Sequence, residues 1–310
     1  MPRDVVAVEK PNLLVSGGKR RKSITNSSWF WSVIFLSPAL LGFCAFTAYP
    51  AVFSLILSFT DWDLNSPLKW VGLSNYIRMF RDPTAIRVFW NTVYFTIVTV
   101  PVLLIVPLLL AIALNQKIHG IRFFRAAFFL PVISSMVAMS MVWQWIFNAD
   151  FGLLNWALSL FGISGPKWLT SENLALPAVM ITSIWKNIGF NMMIFLAGLQ
   201  GISTSYYEAA EIDGANAFQR FWYITIPSLR PTTLLVTVMT IINSFQVFDQ
   251  VVVMTGGGPN RSSSVLVHYI YQNGFQFYKM GYASSLGWAL TMFVLALTLV
   301  QFRTNKTNEG

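Results

Sequence analysis

Long stretches without a formal charge divide this chain into apolar segments. A helix needs about 20 apolar residues to cross roughly 30 Å of hydrocarbon, and five charge-free intervals of 18 to 38 residues are long enough. A sixth segment, about 176–199, is interrupted only by Lys186. The pattern therefore predicts six transmembrane helices, which would place both termini on one side. The five uncharged intervals lie between Lys22 and Asp61, Arg87 and Lys117, Arg125 and Asp150, Arg230 and Asp249, and Lys279 and Arg303.

Composition supports a membrane protein. Of the 310 residues, 55% are hydrophobic and 11% are charged, and the mean hydropathy is +0.57. Soluble domains carry about 25% charged residues, so the composition excludes a disordered chain, a nucleic-acid-binding domain and an ordinary soluble enzyme. Cys44 is the only cysteine, which leaves no internal disulfide and no cysteine metal cluster. We expect an all-α polytopic membrane protein with no metal site.

Basic residues predict the orientation. The segments on the side of the N-terminus carry 13 Lys and Arg, and the opposite loops carry seven, so the positive-inside rule places both termini in the cytoplasm. The apolar run after Lys22 is too long for a signal peptide and is interpreted as a retained first helix. The formal charge of +9 then reflects topology and lipid headgroups, not nucleic-acid binding. The predicted organisation is a cytoplasmic tail 1–28, a six-helix membrane domain 29–302 with a cytoplasmic loop 200–231 and an outer loop 249–280, and a cytoplasmic tail 303–310.

The loop after the fourth span has strong local signals. Ser205 followed by Glu208 predicts a capping box, and Gly214 stands where a left-handed residue would end the helix. A second short helix, about 217–226, should stop at Pro227, because proline cannot continue a helix. These signals alone are also compatible with a helical hairpin that merely lies on the membrane surface.

The same loop resembles a known family. Its Glu208-Ala209-Ala210, Asp213-Gly214-Ala215 and Ile226-Pro227 are similar to the EAA motif of binding-protein-dependent ABC-importer permease subunits, in which Leu usually precedes the last proline. The segment 255–259, Thr-Gly-Gly-Gly-Pro, and the Asn91-Thr92 pair resemble the maltose-type sugar branch.

The resemblance implies the fold and partners of a type I ABC-importer transmembrane domain. The subunit would sit in the inner or plasma membrane of a bacterium or archaeon, with a second homologous permease, two copies of an ATPase and an extracytoplasmic solute-binding protein. No phosphate-binding loop motif is present, so ATP and Mg²⁺ would be bound by the ATPase, and this chain would be no enzyme and bind no cofactor. The implied coupling residues are Tyr207, Glu208, Ala209, Ala210, Asp213, Gly214 and Pro227, and the implied contacts with the binding protein are Gly256, Gly257, Gly258 and Pro259.

Polar residues at membrane depth suggest a substrate path. Lys186 is the one charge inside a predicted span, which is a functional hypothesis by default, although it could instead snorkel outward or pair with another chain. In the fifth span, residues spaced by three or four share one face, and their alternative role is hydrogen bonding between helices, worth about 0.6 kcal/mol each. The predicted path residues are Trp185, Lys186, Asn187, Phe190, Thr240, Asn243, Ser244 and Gln246.

A sugar or oligosaccharide is the predicted substrate, because aromatic rings and amides suit sugar faces and hydroxyls. Lys186 keeps glycerol 3-phosphate or a related phosphodiester open as an alternative. A secondary transporter would usually bury carboxylates, and every Asp and Glu lies outside the predicted spans. An intramembrane hydrolase would need a base within the bilayer, and both histidines, His119 and His268, lie in or near loops.

Overall fold

The computed structural model describes residues 28–116 and 120–306, and nearly all of their regular structure is helical. The basic N-terminal tail, Lys117 and His119, and the last four residues lie outside the described part. The helices are α1 Ser28–Phe43, α2 Tyr49–Ser58, α3 Ser74–Arg81, α4 Pro83–Leu114, α5 Ile121–Ile133, α6 Met136–Ile146, α7 Leu153–Ser159, α8 Ala175–Gln200, α9 Thr204–Ile212, α10 Ala217–Arg220, α11 Ile226–Ser228, α12 Arg230–Phe245, α13 Asp249–Met254, α14 Leu266–Tyr271 and α15 Met280–Lys306. Strands β1 (Thr60–Asp61) and β2 (Lys69–Trp70) pair antiparallel, and π-helical turns occupy Cys44–Ala48, Phe221–Thr225 and Gln272–Gln276.

Four helical segments are long and apolar enough to cross a membrane: Trp31–Ser58, Pro83–Leu114, Ala175–Gln200 and Met280–Thr304. Two further segments qualify only as bent pairs, α5 with α6 at 102° and the helical run 217–228 with α12 at 64°. The described residues therefore give the predicted six spans when each bent pair is counted as one span.

The third span is broken, which the sequence analysis did not predict. Its charge-free interval has the composition of a straight helix, yet Ser134 and Ser135 adopt extended backbone between α5 and α6. Pro131 lies in the last turn of α5, where a missing N–H already weakens helix continuation. A side chain from another helix, distant in sequence, also donates hydrogen bonds to the backbone at this break.

The helix before α12 also differs from the prediction. It does not stop at Pro227 but continues to Ser228. The π-helical turn Phe221–Thr225 precedes the proline, and Ile226 donates its N–H to the carbonyl of Phe221. A regular α-helix would bring the proline ring against a carbonyl four residues earlier, and the wider turn changes that register. The bend falls at Leu229 instead.

Helix α4 is the central element of residues 54–306, because it contributes to three buried clusters. With α6, α8 and α13 it buries Phe95 against Phe147, Val179 and Val251. With α8 and α12 it buries Ala111 and Leu114 against helix faces that include Met192, Phe195 and Val236. A third cluster joins its first turns to α14 and α15 through Val88, Leu266 and Leu286.

The first turn of α4 is fixed by Asp82. Its carboxylate accepts the N–H of Thr84 at 2.9 Å and the hydroxyls of Tyr269 and Tyr282 at 2.6 and 2.9 Å. Burial raises the pKa of Asp82, but these donors outweigh it and hold the pKa below its ordinary value. This carboxylate therefore ties α4 to α14 and α15.

The segments outside the predicted spans are partly helical. The predicted outer loop 249–280 contains α13 and α14, and α15 runs to Lys306, past residue 303 where the predicted tail begins. Tail residues with high helix propensity, such as Lys and Arg, continue a helix readily once it has formed.

Candidate functional site

A polar cavity of about 260 Å³ lies among α4, α6, α8, α12 and α13. Six of the eight predicted path residues line it: Lys186, Asn187, Thr240, Asn243, Ser244 and Gln246. Gln246 follows the end of α12, where the chain leaves the helix, so it reaches the cavity although it lies off the polar face of that helix. The cavity can therefore offer hydroxyls and amides to a polar ligand at membrane depth.

The two predicted aromatic residues do not line this cavity. Trp185 packs edge-on against Trp143, with ring centroids 5.5 Å apart, and Phe190 is half-buried elsewhere on α8. Helix α8 therefore presents Trp185 to Trp143 of α6 and not to the cavity. An aromatic residue that was not predicted, Phe248, lines the cavity from the turn before α13.

Sequence reasoning also missed Ser183, Asn191, Asp249 and Gln250, which line the same cavity. Asp249 was treated as the boundary of the fifth span, but it lies in the first turn of α13 with its side chain exposed to the cavity. Gln250 donates to the Ser183 hydroxyl at 3.4 Å. The cavity thus has one carboxylate as well as neutral groups.

Asn191 joins three spans. Its amide donates to the carbonyl of Leu103 at 2.9 Å and to the Thr240 hydroxyl at 3.1 Å. The carbonyl of Leu103 would ordinarily accept the N–H of residue 107, but that residue is Pro107, which has none. The unpaired carbonyl four residues before a proline is the signal that could have pointed to a buried amide partner.

Lys186 also makes backbone contacts that the sequence analysis did not predict. Its ammonium group lies against the break in the third span and donates to the carbonyls of Pro131, Val132 and Ser134 at 2.9, 3.3 and 2.7 Å. Those oxygens belong to the last residues of α5 and to the extended segment after it.

The second candidate region is the hairpin formed by residues 200–231. The predicted capping box at Ser205 is wrong. Ser203 is the N-cap residue of α9, its side chain does not cap a backbone N–H of the helix, and Ser205 lies within the first turn. Gly214 does have the predicted left-handed backbone, with φ +77°. A complete capping box occurs instead at the start of α10, where Asn216 and Gln219 exchange hydrogen bonds of 2.9 and 2.8 Å.

Most of the predicted coupling residues are exposed on this hairpin. Glu208, Ala209, Asp213 and Gly214 are exposed, while Ala210 and Pro227 are half-buried. Tyr207 is turned inward, and its hydroxyl lies 2.9 Å from the Thr225 hydroxyl. Large apolar side chains surround them, with Ile212 87% and Tyr223 80% exposed. An exposed apolar surface beside acidic groups is typical of a docking surface.

The glycine loop, residues 255–264, lies at the other end of α4 and is held more firmly than the flexible turn predicted from its composition. Ser263 donates to the Gly258 carbonyl and contacts the Thr255 hydroxyl, at 2.6 and 2.8 Å. Asn91 donates to the carbonyls of Arg261 and Ser264 at 2.9 and 2.8 Å. The polar side chain at the start of α4 therefore positions this loop.

His268 packs beneath the same loop. Its ring is buried against Gly257, where a side chain would clash with it, and its Nδ1 lies 2.9 Å from the Ser264 hydroxyl. Burial, together with the nearby Arg261 charge, holds the pKa of His268 below its ordinary value. In the described part of the chain no cluster of His, Cys, Asp and Glu could hold a metal ion.

Bent spans surround a polar cavity, and a helical hairpin joins two of the spans. The fold is similar to the crystal structure of a bacterial ABC transporter involved in the import of the acidic polysaccharide alginate, with a TM-score of 0.81 and 24% identity, covering 92% of this chain and 97% of that one. A model of the family described as binding-protein-dependent transport system inner membrane component matches residues 76–306. The chain belongs to that family, and it is an inner-membrane transport permease component.

Several relatives match almost the whole chain. The arabinooligosaccharides transport system permease protein AraP of Bacillus subtilis (strain 168) is 35% identical over 280 residues, 89% of each chain. The lactose transport system permease protein LacF of Rhizobium radiobacter is 37% identical, covering 87% of this chain and 92% of that one. The sulfoquinovosyl glycerol transport system permease protein SmoG of Agrobacterium fabrum (strain C58 / ATCC 33970) is 36% identical, covering 90% and 91%.

Proposed function

We propose that this chain is one of two transmembrane subunits of an ATP-driven importer and that its cavity binds a sugar or oligosaccharide during passage. The observation that carries the proposal is the cavity of about 260 Å³, whose wall is mostly neutral hydroxyl and amide groups. Such groups suit a polyhydroxy ligand, since each sugar hydroxyl needs a donor and an acceptor. The relatives are named as transporters of arabinooligosaccharides, lactose and sulfoquinovosyl glycerol, and these names also support a carbohydrate or glycoside substrate.

The hairpin is the proposed contact with the ATPase. Glu208 would meet a basic residue of that subunit, and the exposed apolar side chains would bury against it. When two ATPase subunits close on ATP, movement of the docked hairpins would pass to α8 and α12, which enter and leave the hairpin directly. ATP and Mg²⁺ would be bound by the ATPase, so this chain itself would catalyse no reaction.

The glycine loop is the proposed contact with the solute-binding protein, which places it outside the cell and the hairpin inside. Single cysteines at Ser205 and at Asn260, which is exposed on the glycine loop, test this orientation in a Cys44→Ala background. A membrane-impermeant thiol reagent applied to intact cells should leave position 205 unlabelled. Labelling of position 205 from outside would reverse the orientation.

The substrate assignment is tested by uptake into cells that carry the complete transporter. The labelled panel contains arabino-oligosaccharides, lactose and maltodextrins, together with glycerol 3-phosphate as the alternative. We expect uptake of at least one of the sugars, and we expect Asn187→Leu and Ser244→Leu each to reduce that uptake. The matched control is Thr291→Leu on α15, because Thr291 is exposed and bonds only to its own helix. Normal uptake by both cavity variants would contradict the assignment, and uptake of glycerol 3-phosphate alone would replace the sugar.

A further inference from the structure

Lys186 is bound at the C-terminal end of a helix. Three carbonyl oxygens, of Pro131, Val132 and Ser134, lie within 2.7 to 3.3 Å of its Nζ. The last carbonyls of an α-helix have no partner within the helix, and they carry a partial negative charge that favours a cation. The ammonium group therefore binds the groups that the break in the third span exposes.

This arrangement uses the full bonding capacity of the ammonium group. A lysine side chain has three N–H donors and no acceptor, and three backbone acceptors surround it. An anionic substrate could gain a hydrogen bond from Lys186 only by displacing one of these carbonyls, at the cost of a charge-assisted hydrogen bond. The N–H donors of Lys186 are therefore already bonded, and the lysine contributes to the cavity wall mainly through the methylene groups of its side chain.

One turn further along α8, Gly189 lies against the backbone of α5. A Cβ at Gly189 would overlap the carbonyl of Phe128, so the two helices touch without an intervening side chain. Residues 186 and 189 share a helix face. Helix α8 thus fixes α5 at two points, by close contact at Gly189 and by the lysine at the end of the helix.

The segment fixed by Lys186 leads directly into the cavity. Two residues after Ser134 comes Met136, the first residue of α6, which lines the cavity together with Lys186 itself. The turn from α5 into α6 is 102°, and the bonded carbonyls stand at that turn. The position of this wall therefore depends on the lysine.

We propose that Lys186 is a positioning residue: it fixes the break in the third span, and so the Met136 side of the cavity, without itself binding the transported molecule. This proposal rests on the proposed function, because the position of the Met136 side matters for transport only if the cavity binds the transported molecule. It also favours an uncharged substrate, because the only other charge on the wall, Asp249, is negative.

The test measures the cavity wall directly and needs no substrate. Met136→Cys in a Cys44→Ala background provides the thiol, and its reaction rate with a methanethiosulfonate reagent is followed by mass spectrometry in membranes of the expressing cells. We expect Lys186→Met to accelerate the reaction roughly tenfold, because losing a charge-assisted hydrogen bond raises local opening by about that factor. Lys186→Gln, with two N–H donors, should lie between, and Lys186→Arg should restore the parent rate.

The matched control is Arg125→Met. Arg125 also donates to a helix-end carbonyl, that of Leu114 at 2.8 Å, but it does not line the cavity, so its removal should leave the thiol reaction unchanged. A rate that stays at the parent value in both Lys186→Met and Lys186→Gln would overturn the proposal, and so would failure of Lys186→Arg to restore it. Because the assay uses only the thiol reagent, absence of sugar uptake would count against the proposed function and not against this role of Lys186.

Discussion

The cavity and the hairpin are both polar, but they are held together in different ways. Cavity side chains bond across the helices: Asn191 reaches Leu103 and Thr240, and Thr99 lies 3.2 Å from Ser244, all between residues far apart in the chain. The hairpin is built almost entirely from bonds between neighbours, such as the reciprocal pair of Asn216 and Gln219.

This difference has an energetic meaning. A buried polar group that loses its partner costs about 1–3 kcal/mol, whereas an exposed ion pair contributes about 0–1 kcal/mol. Changes to cavity groups that are bonded across helices should therefore lower stability. Changes to exposed hairpin groups should have little effect on stability, and they should affect transport only where the group contacts another subunit.

The largest effect should follow from reversing charge on the hairpin. Glu208→Lys is expected to lower uptake by roughly tenfold or more, because a wrong charge at an interface costs several kcal/mol. Gly214→Val should have a similar effect through geometry, since a β-branched residue at φ +77° is strained. The measurement is ATPase activity of the reconstituted transporter stimulated by its loaded binding protein.

Two conservative variants control these changes. Glu208→Gln removes the charge without reversing it and should be milder, and Gly214→Asn should retain function because asparagine tolerates left-handed backbone. Co-purification of the other membrane subunit reports assembly. Full stimulation in both Glu208→Lys and Gly214→Val would mean that the hairpin is only a surface feature.

A smaller effect, on stability, should separate two neighbouring asparagines of the cavity. Asn191→Leu leaves the Leu103 carbonyl unpaired and should cost about 1–3 kcal/mol, visible as a lower melting temperature of the purified protein. Asn187→Leu should melt like the parent, because Asn187 bonds only to the Ser183 carbonyl of its own helix. Equal melting temperatures for the two variants would show that the buried network does not stabilise the spans.

The smallest effect is expected at the ion pair between Arg220 and Glu211. These side chains are 3.5 Å apart on the hairpin, and Glu211 is 71% exposed. Removing the pair with Arg220→Ala should change stability by at most about 1 kcal/mol, and uptake should stay near the parent value. A large loss of uptake with intact stability would instead place Arg220 in the contact with the ATPase.

The comparison also explains what could be predicted from sequence. Straight spans follow from the apolar pattern of the chain: the charge-free interval between Arg87 and Lys117 predicts a span that α4 covers as Pro83–Leu114, and the apolar segment 176–199 predicts α8, Ala175–Gln200. The left-handed turn at Gly214 follows from local chemistry. Both depend on residues close together in the chain.

The remaining features depend on partners that are distant in sequence. The break in the third span is contacted by Lys186, more than 50 residues away. Pro131 indicates a weak point in the apolar interval, but it does not indicate a turn of 102°. Ser205 is not the N-cap, because the helix begins directly after Ser203, two residues earlier. The local sequence alone does not show which of the two serines precedes the first turn.

The hydrogen bond from Asn191 to Leu103 constrains how this sequence can evolve. Pro107 removes the backbone donor that the Leu103 carbonyl would otherwise use, and Asn191 supplies the replacement from another span. The two positions are therefore epistatic: substitution of Asn191 is costly while Pro107 is present and becomes tolerable after Pro107→Ala restores the N–H. Relatives that lack the proline are free to lose the asparagine, so these positions should change together, in that order, along any lineage that remodels the cavity.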